Sequence, residues 1–270
     1  MQHDLPAMTE FSDLMSAISN DGEVLRAEVG EDWRQGRTIY GGLAAALCFE
    51  AVLRTLPDLP PLRSAQFAFV GPAGGGLTLR PAELRRGKST VFAAAELHGE
   101  TGLATRATFC FGARRASPLN HAGIPAPAAK TPADCIDFFR GAPPMLRFLQ
   151  HIEGRFVSGG LPFSHATQPD MTLWLRHRDP ALTPSLVSLI ALADAPPPAV
   201  LTMLDKPGGP ISTMTWSIDM LSDEIATQDG WWLLRNAADV AADGYASQTM
   251  TIWNAQGRPT MVSRQNVAMF

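Results

Sequence analysis

One carboxylate, Asp194, stands in the most apolar stretch of the chain, which runs from Thr183 to Leu204. Leu186, Val187, Leu189, Ile190, Leu192 and Ala193 lead into it, and Pro196-Pro197-Pro198 follows. A carboxylate among such neighbours is costly unless it is paired, hydrogen-bonded or pushed to a raised pKa. Residue types alone leave two roles open: a cap or turn beside the proline break, or a base that takes a proton from water. A second polar group falls on an otherwise apolar face. By strict alternation Gln265 shares a strand face with Ser263, Val267 and Met269, while Arg264 and Asn266 take the other. An inward amide either bonds to backbone or positions a reacting group.

Other chemistries lack their residues. The six histidines (His3, His98, His121, His151, His165 and His177) show no metal-ligand spacing, so no metal site is expected. Ser158-Gly159-Gly160 lacks the preceding glycine of a nucleophile elbow. The glycine-rich turn from Pro72 to Gly76 lacks the Lys-Ser/Thr ending of a phosphate loop. Cys48, Cys110 and Cys135 lie far apart in apolar surroundings and read as buried free thiols of a reducing compartment.

With 270 residues, 46% hydrophobic and 18% charged, the chain can bury a sizeable core. A net charge of -4 without a Lys/Arg run argues against nucleic acid as a partner. Met1 to Glu10 carries no basic and apolar leader pattern. Asp194 and the proline triplet argue against membrane insertion of the Thr183–Leu204 run. A soluble, cytoplasmic protein is expected.

The elements that must position these groups come in two similar series. Phe11, Leu14, Met15 and Ile18 predict a short helix ended by Asn20-Asp21-Gly22, and a strand follows at Val24–Val29. Leu43 to Leu53, with Glu50 as its one acid, predicts a helix buried nearly all round. Strands are predicted at Ser64–Val70, Leu77–Arg85, Thr90–His98 and Ala104–Gly112. After a Pro- and Ala-rich linker the order repeats: strands at Phe148–Val157 and Met171–Arg176, and a helix at Thr183–Leu192. Four more strands follow at Ser212–Leu221, Trp231–Ala241, Tyr245–Trp253 and Pro259–Phe270. The repetition suggests an internal duplication, with domains at 1–115 and 133–270 and a linker at 116–132.

From about Gly36 to Phe270 the chain resembles the double-hotdog acyl-CoA thioesterases of the thioesterase II type. The resemblance is carried in the first half by Gly36-Arg37-Thr38-Ile39-Tyr40-Gly41-Gly42 and Phe67-Ala68-Phe69-Val70-Gly71-Pro72. In the second half it lies in Leu173-Trp174-Leu175-Arg176, Leu192-Ala193-Asp194, Ser212-Thr213, Trp232-Leu233-Leu234 and Gly257 to Gln265. It implies an α+β tandem hotdog, in which long buried helices are wrapped by antiparallel sheet. It also implies a lipid-metabolism enzyme that hydrolyses a fatty or aromatic acyl-CoA to free acid and CoA without a cofactor. The family's catalytic Asp, Thr and Gln match Asp194, Thr213 and Gln265, which would orient and activate a water. Gly41 and Gly42, at a buried helix start, are candidate oxyanion donors.

The strand after Thr213 reads Met214-Thr215-Trp216, where the family typically carries an acidic residue and a His in place of Thr215 and Trp216. Strict alternation puts Thr215 beside Thr213 as a polar partner, opposite Met214, Trp216, Ile218 and Met220. Arg85-Arg86-Gly87-Lys88 and Arg114-Arg115 are either solvated strand ends or contacts for CoA phosphates. A homo-oligomer built through sheet edges or faces is expected. The competing readings are a non-catalytic acyl-CoA-binding hotdog protein and a hotdog dehydratase or hydratase. The second is disfavoured because no His follows Asp194 within its helix.

Overall fold

The structure, a computed structural model, describes residues 8–270; the first seven, part of the segment read for a leader, lie outside the described residues. The first half opens with α1 (Phe11–Ser16), β1 (Ser19–Asp21), β2 (Val24–Val29) and the two-residue β3 (Arg34–Gln35) and β4 (Thr38–Ile39). It continues with α2 (Gly41–Thr55), β5 (Leu62–Phe69), β6 (Gly75–Arg86), β7 (Thr90–Gly99) and β8 (Gly102–Gly112). The second half holds β9 (Ile136–Asp137), β10 (Ile152–Gly159), β11 (Asp170–His177) and α3 (Leu186–Ala193). It ends with β12 (Ile211–Met220), β13 (Trp232–Ala242), β14 (Tyr245–Asn254) and β15 (Pro259–Met269).

Thirteen strands form one continuous sheet in the order β1-β2-β6-β7-β8-β5-β12-β15-β14-β13-β11-β10-β9. The two halves join where β5 pairs antiparallel with β12, with Phe67 opposite Trp216 and Ala65 opposite Ile218. Read outward from that seam, β5, β8, β7, β6 and β2 match β12, β15, β14, β13 and β11. This is the α+β tandem hotdog: two central helices against the inner face of a shared antiparallel sheet.

Three expectations shift. Asn20-Asp21-Gly22 ends no helix; it belongs to the β1–β2 hairpin, with Gly22 at φ 73°. The strand expected from Phe148 starts only at Ile152, because Arg147–His151 forms a 3₁₀ turn. The second central helix starts at Leu186, not Thr183. Ser185 caps it, taking the Ser188 N–H at 3.2 Å while its own N–H goes to Ser188 Oγ at 3.0 Å. The chain between Gly112 and Pro132 has no helix or strand. It is pinned across the second half-sheet by Trp253 Nε1 donating to the Ile124 carbonyl at 3.0 Å and Trp174 Nε1 to that of Lys130 at 2.8 Å.

The two central helices touch at a place only glycine allows. A Cβ on Gly42 would lie 2.4 Å from the Ala191 carbonyl oxygen and 2.6 Å from the Tyr40 hydroxyl. That hydroxyl donates to the same Ala191 carbonyl at 2.6 Å, tying the start of α2 to the last turns of α3. Tyr40 also stacks on Phe148 at 4.0 Å, and Trp33 on His151 at 3.9 Å, so the loop before α2 is clamped by second-half residues. Gly42→Ala is expected to cost about 1–3 kcal/mol through overpacking. Gly208→Ala, with no atom within 4 Å of the added methyl, is expected to be near neutral. Urea unfolding of the two variants checks the contrast.

Candidate active site

Asp194 is the C-cap residue of α3, at φ -89° and ψ 0°, and the prolines beyond it prevent the helix from continuing. Its side chain does not serve its own helix. It crosses to the first turn of α2, where Oδ2 lies 2.8 Å from the position a Gly41 Cβ would take. The Phe69 ring closes the same spot, at 3.5 Å from that position. The carboxylate is partly buried, with its surroundings drawn from both halves.

Its other oxygen is held by a chain of amides. Gln265 Nε2 donates to Asp194 Oδ1 at 2.5 Å, and Gln248 Nε2 donates to Gln265 Oε1 at 2.7 Å. The Ala199 N–H in turn donates to Gln248 Oε1 at 2.9 Å. A backbone N–H can only donate, so this last bond sets the orientation of both amides and leaves Gln265 presenting its NH₂ to the carboxylate. The proline triplet has a structural part in this: Ala199 is the first residue after it with an N–H to give.

Burial pushes the Asp194 carboxyl up to about 7, against the opposing pull of the Gln265 amide and the Gly42 backbone N–H, which favour the charged form. The same surroundings hold the Tyr40 phenol well above its usual value: burial first, then the nearby Asp194 charge. Among the described residues no group of three His, Cys, Asp or Glu side chains is placed to hold a metal ion.

The structure thus brings Asp194, Gln265, Gly41 and Gly42 together. Thr213 joins their face of the sheet by a device that strict alternation misses. A bulge at Met214 pairs Thr213 with Val267 and Thr215 with Asn266, so Thr213 shares the inner face with Trp216 and Gln265. The expected grouping of Thr213 with Thr215 is therefore corrected: Thr215 lies on the outer face. There it borders a depression of about 430 Å³ lined also by Gln66, Arg106 and Arg264, with the sheet between it and Asp194.

The arginine clusters are also remote. Arg114 is paired with Asp223, Arg86 with Glu83, and Arg115 donates to Ser89 Oγ at 2.8 Å. They lie around the Leu62 end of β5. Phe69 at the other end borders Asp194. At ~3.3 Å per residue this strand separates the two by about 23 Å. Of the cysteines, Cys48 and Cys135 are buried, whereas Cys110 is only half-buried on the outer face.

Gln248 escaped the sequence reading. The signal was present: along β14 it alternates inward with Ala246, Met250 and Ile252, a polar residue in an apolar row.

Because folding raises the Asp194 pKa, the folded chain holds that proton more tightly than the unfolded one. The group's share of stability is full below the ordinary carboxylate range and falls as pH rises toward 7. Asp194→Asn removes the buried charge. It is expected to melt higher than the native protein at pH 8, and the gap is expected to close at pH 5. Scanning calorimetry at both pH values checks this.

Two family models cover most of the chain: the acyl-CoA thioesterase N-terminal domain matches residues 29–112 and the C-terminal domain residues 125–269. A hotdog-fold protein of unknown function from Alicyclobacillus acidocaldarius superposes with a TM-score of 0.88 at 25% identity, covering 97% of this chain and 99% of that one. The acyl-CoA thioesterase II TesB2 of Mycobacterium marinum superposes with a TM-score of 0.75 at 17% identity, over 96% and 97% of the two chains. No curated protein matches the sequence significantly. The chain belongs to the acyl-CoA thioesterase family, as a double hotdog.

Proposed function

We propose that the chain hydrolyses the thioester bond of a fatty or aromatic acyl-CoA, with Asp194 as general base. The observation that carries this reading is a carboxylate held near pKa 7 at the start of α2, with one oxygen fixed by Gln265 and the other facing the Gly41 backbone. A base with a pKa near the working pH suits proton transfer from water.

In this mechanism Asp194 Oδ2 takes a proton from a water whose oxygen attacks the carbonyl carbon. Thr213 and Gln265 hold that water without adding charge. The start of α2 faces the developing oxyanion with the Gly41 N–H, while the Gly42 N–H is held by Asp194, and the helix dipole favours negative charge there. The tetrahedral intermediate then collapses, the C–S bond breaks, and the departing thiolate recovers the proton from Asp194. The sum is thioester plus water giving carboxylic acid plus CoA thiol.

A cytoplasmic homo-oligomer belongs to the same proposal, supported by the two open sheet edges at β1 and β9. Thr215 and Trp216, where the family carries an acid and a His, favour one second reading: an acyl-CoA-binding protein without turnover.

Release of CoA thiol from a panel of acyl-CoA esters tests both. Asp194→Asn is expected to lower turnover by about 10²–10⁴, and Gln265→Ala to lower it less. Binding without thiol release establishes the second reading, and unchanged turnover in Asp194→Asn returns that residue to a capping role. The native kcat/KM is expected to rise with pH through about 7, as Asp194 loses its proton.

A further inference from the structure

At the Leu62 end of β5 a depression of about 530 Å³ opens on the sheet, a volume within the range of small-ligand sites. Arg63, Thr90, Cys110, Arg114 and Arg115 line it, and no carboxylate is among its lining residues. The hydrolytic set proposed above uses none of them. The chain as a whole carries a net charge of -4, so three guanidinium groups at one depression run against its average.

Local structure explains how the three converge. Leu62 pairs with Phe111 and Ser64 with Cys110, which leaves Arg63 as the extra residue of a bulge in β5. A bulge re-aims the side chain it displaces. Arg63 lies over Gly112, whose carbonyl takes its Nε–H at 2.9 Å, and a Cβ on Gly112 would come within 3.2 Å of Arg63 Cγ. Beyond β8 the chain stays beside the β6–β7 turn, with the Ala113 N–H on the Ser89 carbonyl at 2.8 Å. Arg114 and Arg115 therefore leave at the same corner, and Arg115 Nη2 donates to Ser89 Oγ at 2.8 Å.

The charges at this corner do not balance. Asp223 and Glu224, the two acids that act on Arg114, each have a cation of their own. Arg114 bonds Asp223 through Nε and Nη2, and Arg258 bonds Glu224. Among the described residues no carboxylate bonds Arg63 or Arg115. Each keeps N–H donors beyond the one already used, in the planar fork that matches phosphate oxygens. Like charges held this way repel one another, and an anion set between them removes the repulsion.

We propose that this depression is a second ligand site and takes a polyphosphate, two or more linked phosphate groups, free or carried on a nucleoside. Three guanidinium groups offer more donors than a single phosphate uses. Phe92, opposite Cys110 in the β7–β8 register and 40% exposed, sets an apolar ring beside them. The site is separate from the thioester site. Along β5 about 23 Å divides Leu62 from Phe69, which borders Asp194, and Cys110 faces the outer side of the sheet. The inference does not rest on the hydrolase reading.

Calorimetric titration of the full chain with inorganic pyrophosphate and with ADP tests it. At least one is expected to bind, and Arg63→Gln and Arg115→Gln are each expected to weaken that binding by at least about tenfold. Asp223→Asn, which removes a nearby negative charge, is expected to tighten it, an effect that damage to the fold would not produce. Arg264→Gln, at the other outer depression, is expected to leave it unchanged. Tighter binding of ADP assigns the nucleoside form, and equal affinities assign the free polyphosphate. The bound ligand is also expected to slow alkylation of Cys110 by iodoacetamide, read by peptide mass, in the native protein but not in Arg63→Gln. Binding of neither ligand overturns the inference, as does an equal loss in Arg264→Gln or an unprotected Cys110. For any acyl-CoA that the protein turns over, an unchanged KM in Arg63→Gln and Arg115→Gln supports a separate site. A KM raised about tenfold in both places the CoA arm at this corner and overturns it. If no ester is turned over, the hydrolase reading fails, and the titrations and the alkylation still decide this one.

Discussion

The structure turns on one placement: a carboxylate at the end of one helix set against the beginning of another. At its own helix end Asp194 meets the negative pole of the α3 dipole, an unfavourable position for an anion. Against α2 it meets the positive pole and the Gly42 N–H. Neither helix alone would make this site. It exists because Gly42 lets α2 approach the Ala191 carbonyl closely enough for Asp194 to reach across. The aromatic clamps, Tyr40 on Phe148 and Trp33 on His151, hold the loop before α2 against the second half and keep that approach fixed.

The matching strand order of the two halves raises the question of why they are chemically unequal. At the seam Phe67 and Trp216 face each other as equivalent residues of β5 and β12. Beside Trp216 stands Gln265, but beside Phe67 stands Ala107, which cannot orient a carboxylate. The one acid on α2, Glu50, is bound by Arg54 at 2.6 Å, and Arg54 also donates to the Met15 and Ile18 carbonyls near α1. The first half therefore keeps the helix and sheet but spends its acid on an ion pair that anchors α1. In the proposed mechanism its contribution is the start of α2, and the base and its support come from the second half.

Much of this was legible in the sequence because it depends on local pattern. The apolar run ending at Asp194, the alternation that turns Gln265 inward and the glycine pair before a buried helix all follow from side-chain periodicity. What escaped depends on pairing between strands. The Met214 bulge changes which residues of β12 face inward, and nothing in Ile211 to Met220 announces an extra residue; only the register with Val267 and Asn266 shows it. Asn20-Asp21-Gly22 reads equally as a helix stop and a hairpin turn, and the β1–β2 pairing decides between them. The remote position of the arginines likewise follows from where β5 begins and ends, which no local motif encodes.

The amide chain explains why such a carboxylate tolerates partial burial without being neutralised by a cation. An arginine or lysine partner would favour the charged form strongly and pull the pKa well below neutrality, leaving a weak base. Gln265 offers a neutral donor instead, which fixes the geometry and lowers the pKa by less than burial raises it. A lone glutamine could rotate its amide and present oxygen to the carboxylate, a repulsive arrangement. Gln248 forbids that rotation by donating to Gln265 Oε1, and the Ala199 N–H forbids the corresponding rotation of Gln248. The orientation of the site thus traces back to a backbone donor placed by three prolines. These are the residues that, read in sequence alone, marked only where the helix must stop.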